Sequence, residues 1–297
     1  MFDIYEEVTD RIIAELEDGI IPWERGWTGV RSGAISHETG KPYSLINQML
    51  LGRPGEFITY KQALEEGGHV KKGAKSRMIV FWKMMHKGKM DEAGAIIRDE
   101  NGLPVSKLIP ILKYYNVFHI DDCEGIKEKY PEDQMPDKVE PIVQAEKVID
   151  DYSARAKLTI EHKKQNQAYY TPTKHIVSLP LVEQFNDAEI YYETVFHELT
   201  HSTGHKSLLN RFTGAAAVAS FGDESYLKEE LVAEIGACGL MHELGIESNK
   251  SFRNSAAYIQ SWLAALKNDK RMIVSAASRA EKAIKLILNI QEESEAQ

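Results

Sequence analysis

A metal-binding helix is predicted by one stretch of this sequence, Thr194-Val195-Phe196-His197-Glu198-Leu199-Thr200-His201. Residues four apart lie one turn apart on the same face of an α-helix, so the imidazoles of His197 and His201 can both reach one ion at about 2.0–2.1 Å. The carboxylate of Glu198 lies beside them, where it can act as a general base toward water whose pKa the ion lowers. We expect Zn²⁺ at this site, with Mn²⁺ or another divalent metal as the alternative.

The metal site needs a third protein ligand, and the next long helix, predicted over residues 224–244, offers two glutamates for it. Glu230 has Glu234 one turn further along, where a second carboxylate could orient a ligand histidine. Glu229 shares a helix face with Val232, Ala233, Gly236 and Leu240, where a neighbouring backbone can approach most closely. Either Glu229 or Glu230 would complete a set of two histidines and one glutamate with a position left open for water.

Two further features lie near the motif. His205 follows His201 by four residues, but Gly204 lies between them and can end the helix, so His205 is the weaker candidate for a ligand. The segment Thr171–Val177 could be an edge strand that pairs with an extended peptide, or a covered strand that completes a sheet.

The first half of the chain contains a basic segment although the protein as a whole is acidic. The net charge is -9. Residues 25–89 hold twelve basic residues against four acids, so this segment carries +8 and the rest of the chain carries -17. A uniform need for solubility does not produce such a basic island, which indicates a polyanionic partner for this segment.

Aromatic residues are interleaved with these cations, a combination that binds single-stranded nucleic acid through phosphate contacts and base stacking. Phe57, Phe81 and Tyr60 lie in or beside predicted strands, and we expect them in the core. The side chains that we expect to contact nucleic acid are Trp23, Arg25, Trp27, Arg31, Lys41, Tyr43, Lys71, Lys72, Lys75 and Arg77.

The spacing of apolar residues predicts an α+β fold. Helices are expected at residues 3–18, 44–51, 61–66, 142–156, 187–204, 224–244, 256–268 and 272–290. Strands are expected at residues 56–60, 78–82, 113–120, 158–160, 168–170 and 174–180.

Two segments without a predicted helix or strand divide the chain. Residues 83–107 are polar and contain glycine, which indicates a hairpin tip or a mobile insertion. Residues 121–141 contain three prolines and many charges, which are typical of a linker. We therefore expect a small α+β domain at residues 1–130 and a mostly helical domain with a small sheet at residues 131–297.

The composition excludes several classes of protein. The chain is 43% hydrophobic and 27% charged, which is typical of a globular protein. Two cysteines are too few for a disulfide framework or a cysteine-based metal site. No apolar run has the length of a membrane span, and the acidic first residues do not resemble a signal peptide. We expect a cytoplasmic protein with no membrane partner.

Both halves of the sequence resemble ArdC-like antirestriction proteins. In the N-terminal half, the resemblance is carried by Tyr5–Ala14 with Ile21–Trp23, Thr39–Tyr43 with Ile46 and Asn47, and Ile58–Ala63 leading into Gly67–Gly68, Val70–Gly73 and Val80–Trp82. In the C-terminal half, it is carried by His197–His201 with Thr203–His205, and by Glu229–Glu234.

The resemblance implies a plasmid- or phage-borne protein that protects incoming DNA from host restriction during conjugative transfer. It also implies an N-terminal domain that binds single-stranded DNA, followed by a zincin-like metallopeptidase domain. One hypothesis is a metal-dependent peptidase recruited to single-stranded DNA, with a protein substrate or a restriction-system component as a further partner. A second is a DNA-binding protector whose metal is structural or regulatory. A nuclease is disfavoured, because such sites gather several carboxylates around Mg²⁺.

Overall fold

The fold is known from a computed structural model, which describes residues 3–24, 33–90, 96–98, 103, 105–130, 141–185, 187–212, 224–246 and 256–291. These residues form eight α-helices and nine strands, in agreement with the predicted α+β class. The helices are α1 Ile4–Glu17, α2 Leu45–Leu51, α3 Tyr60–Glu65, α4 Pro141–Ala156, α5 Ala188–Ser202, α6 Glu224–Glu243, α7 Ala256–Asn268 and α8 Met272–Ile287. The strands are β1 Ala34–Ser36, β2 Gly55–Thr59, β3 His69–Val70, β4 Arg77–Gly88, β5 Ser106–His119, β6 Cys123–Glu124, β7 Thr159–Lys163, β8 Tyr169–Thr171 and β9 Ile176–Pro180.

The N-terminal sheet has the strand order β1-β2-β5-β4, with β1 and β2 parallel and the other pairs antiparallel. Helix α2 is bound to strand β4 through Asn47. The Asn47 side chain donates to the Val80 carbonyl at 2.8 Å and accepts from the Val80 amide at 2.7 Å. The β4–β5 ladder continues outward from Trp82 and Leu112 for six more residue pairs, or roughly 20 Å. The predicted hairpin tip at residues 83–107 is therefore, at both its ends, an extension of these strands.

Helices α1 and α2 pack onto the C-terminal helices in one hydrophobic core. In α1, the Asp3 carboxylate caps the first turn by accepting from the Tyr5 amide at 2.9 Å, and the buried residues recur at helical spacing. The Thr9 hydroxyl donates to the Lys270 carbonyl at 2.7 Å, and the Leu45 amide donates to Glu281 at 3.0 Å. Within the predicted linker at residues 121–141, Cys123–Glu124 forms β6, which pairs with β3, so this part is not a linker. Residues 131–140 lie outside the described residues, so the division after residue 130 stays a prediction.

The C-terminal sheet has β9 in its centre, parallel to β7 and antiparallel to β8. The segment Thr171–Val177 therefore includes the end of edge strand β8 and the start of the central strand. Helix α5 packs against both β8 and β9. No helix in the described part of the chain combines the length and the apolar character that crossing a bilayer requires.

Candidate metal centre

Helix α5 holds the two motif histidines facing the same point. The Asp187 carboxylate caps the helix by accepting from the Ile190 amide at 2.8 Å. Buried Phe196 and other apolar residues anchor the helix in the core. The Nε2 atoms of His197 and His201 are 3.0 Å apart, and their side chains are 3% and 12% exposed.

Helix α6 brings the Glu230 carboxylate to the same point. Its Oε2 is 3.6 Å from His197 Nε2, and its Oε1 is 3.3 Å from His201 Nε2. Tetrahedral ligands bound at 2.0–2.1 Å are separated by about 3.3 Å, so these spacings match an ion held between the three groups. Among the described residues, His197, His201 and Glu230 form a group whose ligand atoms all lie within 4.8 Å of one another. The donor set of two imidazoles and one carboxylate fits zinc or a similar divalent ion.

Each histidine has a second carboxylate behind it. Glu234 Oε1 lies 3.4 Å from His197 Nδ1, and Glu229 Oε1 lies 3.4 Å from His201 Nδ1. Carboxylates in this position fix the ring orientation and the tautomer of a ligand histidine, and they increase its basicity. Glu229 and Glu230 thus occupy different places, one behind a histidine and the other between the two.

Arg211 holds Glu229 in this position, and sequence reasoning did not find it. Its Nη2 donates to Glu229 Oε1 at 2.6 Å and to the Thr200 carbonyl at 2.7 Å, while its Nη1 donates to the Thr203 hydroxyl at 2.6 Å. The guanidinium therefore ties the carboxylate to the end of α5. Arg211 follows the motif in an irregular segment, and no spacing rule marks such a residue.

The buried carboxylates make the centre favourable for a cation. Burial alone would lower the pKa of His201, but hydrogen bonds with Glu229 and Glu230 outweigh this and raise the pKa to about 10. The charge of Glu198 contributes in the same direction. Burial would raise the pKa of Glu230, yet the contacts with His197 and His201 hold it well below its usual range.

The close approach of α6 to α5 depends on Gly236, as its position in the sequence suggested. A Cβ atom on Gly236 would lie 2.5 Å from Thr200 Cγ2 and 2.7 Å from Thr200 Oγ1. The Thr200 side chain cannot easily move, because its hydroxyl donates to the Phe196 carbonyl at 2.8 Å within the buried helix. The distance between the helix that carries the histidines and the helix that carries Glu230 is thus set at this contact.

We expect Gly236→Ala to separate the two helices. The free energy of unfolding should fall by about 1–3 kcal/mol, the usual effect of overpacking, and metal affinity should fall with it. Chemical denaturation and metal titration measure the two effects. Gly239→Ala is the control, because its Cβ would meet only the Ile284 side chain, at 2.4 Å from the terminal Cδ1 and 3.6 Å from Cγ1. If Gly236→Ala binds metal as tightly as the control does, this contact does not set the geometry of the centre.

The remaining residues of the predicted catalytic region lie as follows. Glu198 is buried on α5, with 3% of its surface exposed. His205 lies outside the three-residue group, since its ring stacks on His175 with centroids 4.1 Å apart and its Nδ1 is 2.7 Å from the Ser207 hydroxyl.

The predicted nucleic-acid residues divide into four groups. The prediction that Trp23 stacks on bases is wrong, because its side chain is 1% exposed and packs edge-on against Trp262, with centroids 5.5 Å apart. Tyr43 is half-buried and packs against Phe57. The exposed cations are Lys41, Lys71, Lys72, Lys75 and Arg77. The other three predicted residues, Arg25, Trp27 and Arg31, lie outside the described part of the chain.

The predicted core aromatics also gave mixed results. Phe57 is 1% exposed, which confirms its place in the core, whereas Tyr60 is 55% exposed, so the prediction for it was wrong. Phe81 is partly exposed and stacks on Tyr115, a residue that sequence reasoning did not select.

Two family models match the chain. Residues 2–118 match the N-terminal domain of the anti-restriction factor ArdC. Residues 144–279 match a zincin-like metallopeptidase domain.

Two crystal structures of the antirestriction ArdC protein from the R388 plasmid are similar along almost the whole chain. The metal-free structure has a TM-score of 0.73 at 36% sequence identity, covering 98% of this chain and 100% of the other. The Mn(II)-bound structure has a TM-score of 0.71 at 36% identity, covering 97% and 98% of the two chains.

Three proteins are similar in sequence. Two Escherichia coli proteins named DNA primase TraC are 35% and 33% identical over 291 residues, and in each case the match covers 94% of this chain. The chain spans only 26% and 19% of their lengths. The uncharacterised protein y4eC of Sinorhizobium fredii (strain NBRC 101917 / NGR234) is 30% identical over 293 residues, which cover 94% of this chain and 89% of that protein.

Proposed function

Because this chain belongs to the ArdC family of antirestriction proteins, we propose that it protects incoming conjugative DNA from host restriction in the cytoplasm. In this proposal the N-terminal half binds single-stranded DNA and the C-terminal half carries a metal-dependent site of the peptidase type. The basic segment supports the DNA-binding part, since Lys71, Lys72, Lys75 and Arg77 are exposed. Cations that contact phosphates carry no sequence information, so the binding is expected to be non-specific.

The proposed metal ligands are His197, His201 and Glu230. We expect Zn²⁺, and the similarity to a protein crystallised with Mn(II) makes manganese the alternative. Glu229 and Glu234 would orient the two rings from behind. When bound, such an ion acidifies a water molecule and polarises the carbonyl of a substrate.

The chain itself would contribute a base and a place for the substrate. Glu198 would accept the proton of the attacking water and deliver it to the leaving amine, which is general acid–base catalysis by one carboxylate. An extended peptide would pair with the outer edge of β8, which among the described residues pairs only with β9 and lies next to α5. A further protein partner, either a substrate or a component of a restriction system, would be bound in this way.

One observation carries the proposal. The two Nε2 atoms lie 3.0 Å apart, and Glu230 places one oxygen 3.3 Å from His201 Nε2 and the other 3.6 Å from His197 Nε2. A second carboxylate lies behind each imidazole. This arrangement separates the group from histidines that share a helix by chance, because it contains both the ligands and the carboxylates that orient them.

Metal analysis of the purified protein tests the proposal. The wild type should bind about one equivalent of divalent metal, and His197→Ala should bind almost none, because two remaining ligands hold an ion weakly. His205→Ala is the matched control, since His205 is also a histidine near the end of α5 but faces His175. Equal metal content in the two variants would contradict the assignment.

A further inference from the structure

The cations of the β4–β5 ribbon all lie on one of its two faces. Residues that pair directly in a ladder share a face, and successive residues alternate between faces. The pairs run from Arg77 with Val117 to Gly88 with Ser106, so odd-numbered residues of both strands share one face. Every lysine and arginine of the two strands is odd-numbered, namely Arg77, Lys83, Lys87, Lys107 and Lys113. Neither strand contains an acid.

The outer part of this ribbon is exposed to solvent. Met84 is 55% exposed and Leu108 is 54% exposed, and the lysines beyond Trp82 are exposed as well. A two-stranded ribbon is marginally stable by itself in water, and Lys87 lies directly opposite Lys107, where like charges repel. A polyanion bound on this face would offset the repulsion among its five cations.

An aromatic stack lies on the same face, among the cations. The rings of Phe81 and Tyr115 are stacked, with centroids 4.8 Å apart and planes 2° apart. Tyr115 is 57% exposed, so the stack leaves ring surface open to a further planar group. Lys113 pairs with Phe81, and Lys83 follows one step further along the face. Exposed rings beside cations are typical of surfaces that bind single-stranded nucleic acid, where bases stack and phosphates meet ammonium groups.

We propose that this surface, the cationic face of Arg77, Phe81, Lys83, Lys87, Lys107, Lys113 and Tyr115, is a binding site for single-stranded DNA. The strand runs along the ribbon, with a base stacked on Tyr115 and phosphates contacted by the lysines. The proposal rests on the proposed function, and it extends the predicted surface of Lys71, Lys72, Lys75 and Arg77 outward from Arg77 along the ribbon. Duplex DNA is disfavoured as the ligand, because its bases are already stacked on one another.

The test uses fluorescence anisotropy of a labelled oligo-dT strand at several salt concentrations with the full chain. Lys87→Gln with Lys107→Gln removes two positive charges from the cationic face. The matched control is His86→Glu with Ser106→Glu, which changes the net charge by the same amount at the same level of the ribbon but on the opposite face. Tyr115→Ala tests the stacking, and thermal unfolding checks that each variant is folded.

We expect the lysine pair to reduce the slope of log K against log salt by about 1.4, since each phosphate contact on a single strand contributes about 0.7. The control should change the slope by less than half of that. Tyr115→Ala should weaken binding roughly 5- to 150-fold, the range for loss of one stacked base.

The outcomes separate this site from the function on which it rests. If the wild type binds the strand and the lysine pair behaves like its control, the site is wrong while DNA binding by the protein stands. If the wild type does not bind the strand, the proposed function fails together with the site. Equal affinity of the wild type for the strand and its duplex would exclude stacking on Tyr115.

Discussion

Glu230→Gln should weaken metal binding by more than about 100-fold, whereas Glu229→Gln should weaken it by about 10- to 100-fold, the usual effect of losing a carboxylate that orients a ligand. Glu230 faces both Nε2 atoms, so Glu230→Gln removes a negative charge that would contact the ion directly. Glu229 lies behind His201, and its loss acts only through the orientation of that ring. Competition with a chromophoric zinc chelator measures both affinities.

Glu234→Gln is the internal control for this comparison. Glu234 stands behind His197 as Glu229 stands behind His201, so the two variants should lose similar amounts of affinity. A larger loss for Glu229→Gln than for Glu230→Gln would contradict the assignment. It would mean that Glu229 leaves Arg211, which it now contacts at 2.6 Å, in order to bind the ion.

Helix geometry was enough to predict from the sequence which residues of the candidate metal centre share a helix face. The spacing of His197 and His201 fixes their common face, and Gly236 indicated where the two helices meet. The choice between Glu229 and Glu230 could not be made in this way, because adjacent residues point about 100° apart and only the rotation of α6 about its axis decides between them. That rotation depends on packing. Arg211, which holds Glu229, comes next to it only when the chain is folded.

The nucleic-acid residues were harder to predict, because exposure depends on distant partners. Trp23 lies beside Pro22 and a basic segment, yet it is covered by Trp262, a residue that only the tertiary fold brings near. Lys83, Lys87 and Lys107 were assigned to a polar hairpin tip or mobile insertion, and Lys113 to a predicted strand. Their common face becomes visible only when the register of β4 and β5 is known, since alternation along a single strand does not say which residues of its partner lie opposite.

The two halves of the protein meet at α6, the helix that carries Glu230, the proposed third ligand. The turn Pro22–Glu24 packs against α6, and α6 packs against α5 and α8. Trp23 therefore contributes to the core that positions Glu230 instead of to a DNA surface. Changes at Trp23 would disturb the metal centre through packing, so they are unsuited to separating DNA binding from metal chemistry.

Glu198→Gln should separate these functions cleanly. Glutamine has nearly the same shape as glutamate but cannot accept a proton, and Glu198 is not among the three grouped ligands. We expect the variant to keep its metal and to lose hydrolysis of labelled casein by about 100- to 10,000-fold, the usual contribution of a general base. Protection of a conjugative plasmid, measured as transfer into restricting and non-restricting recipients, should fall with it.

Two variants are the controls for Glu198→Gln: His201→Ala, and the lysine pair Lys87→Gln with Lys107→Gln. The first should lose both metal and hydrolysis, because it removes a ligand, and the second should keep both while it binds single-stranded DNA less tightly. If Glu198→Gln loses hydrolysis but still protects the plasmid, while His201→Ala does not, the ion is needed for structure and turnover is not. The peptidase part of the proposal would then be wrong, and protection would depend on DNA binding by a fold that the ion holds together.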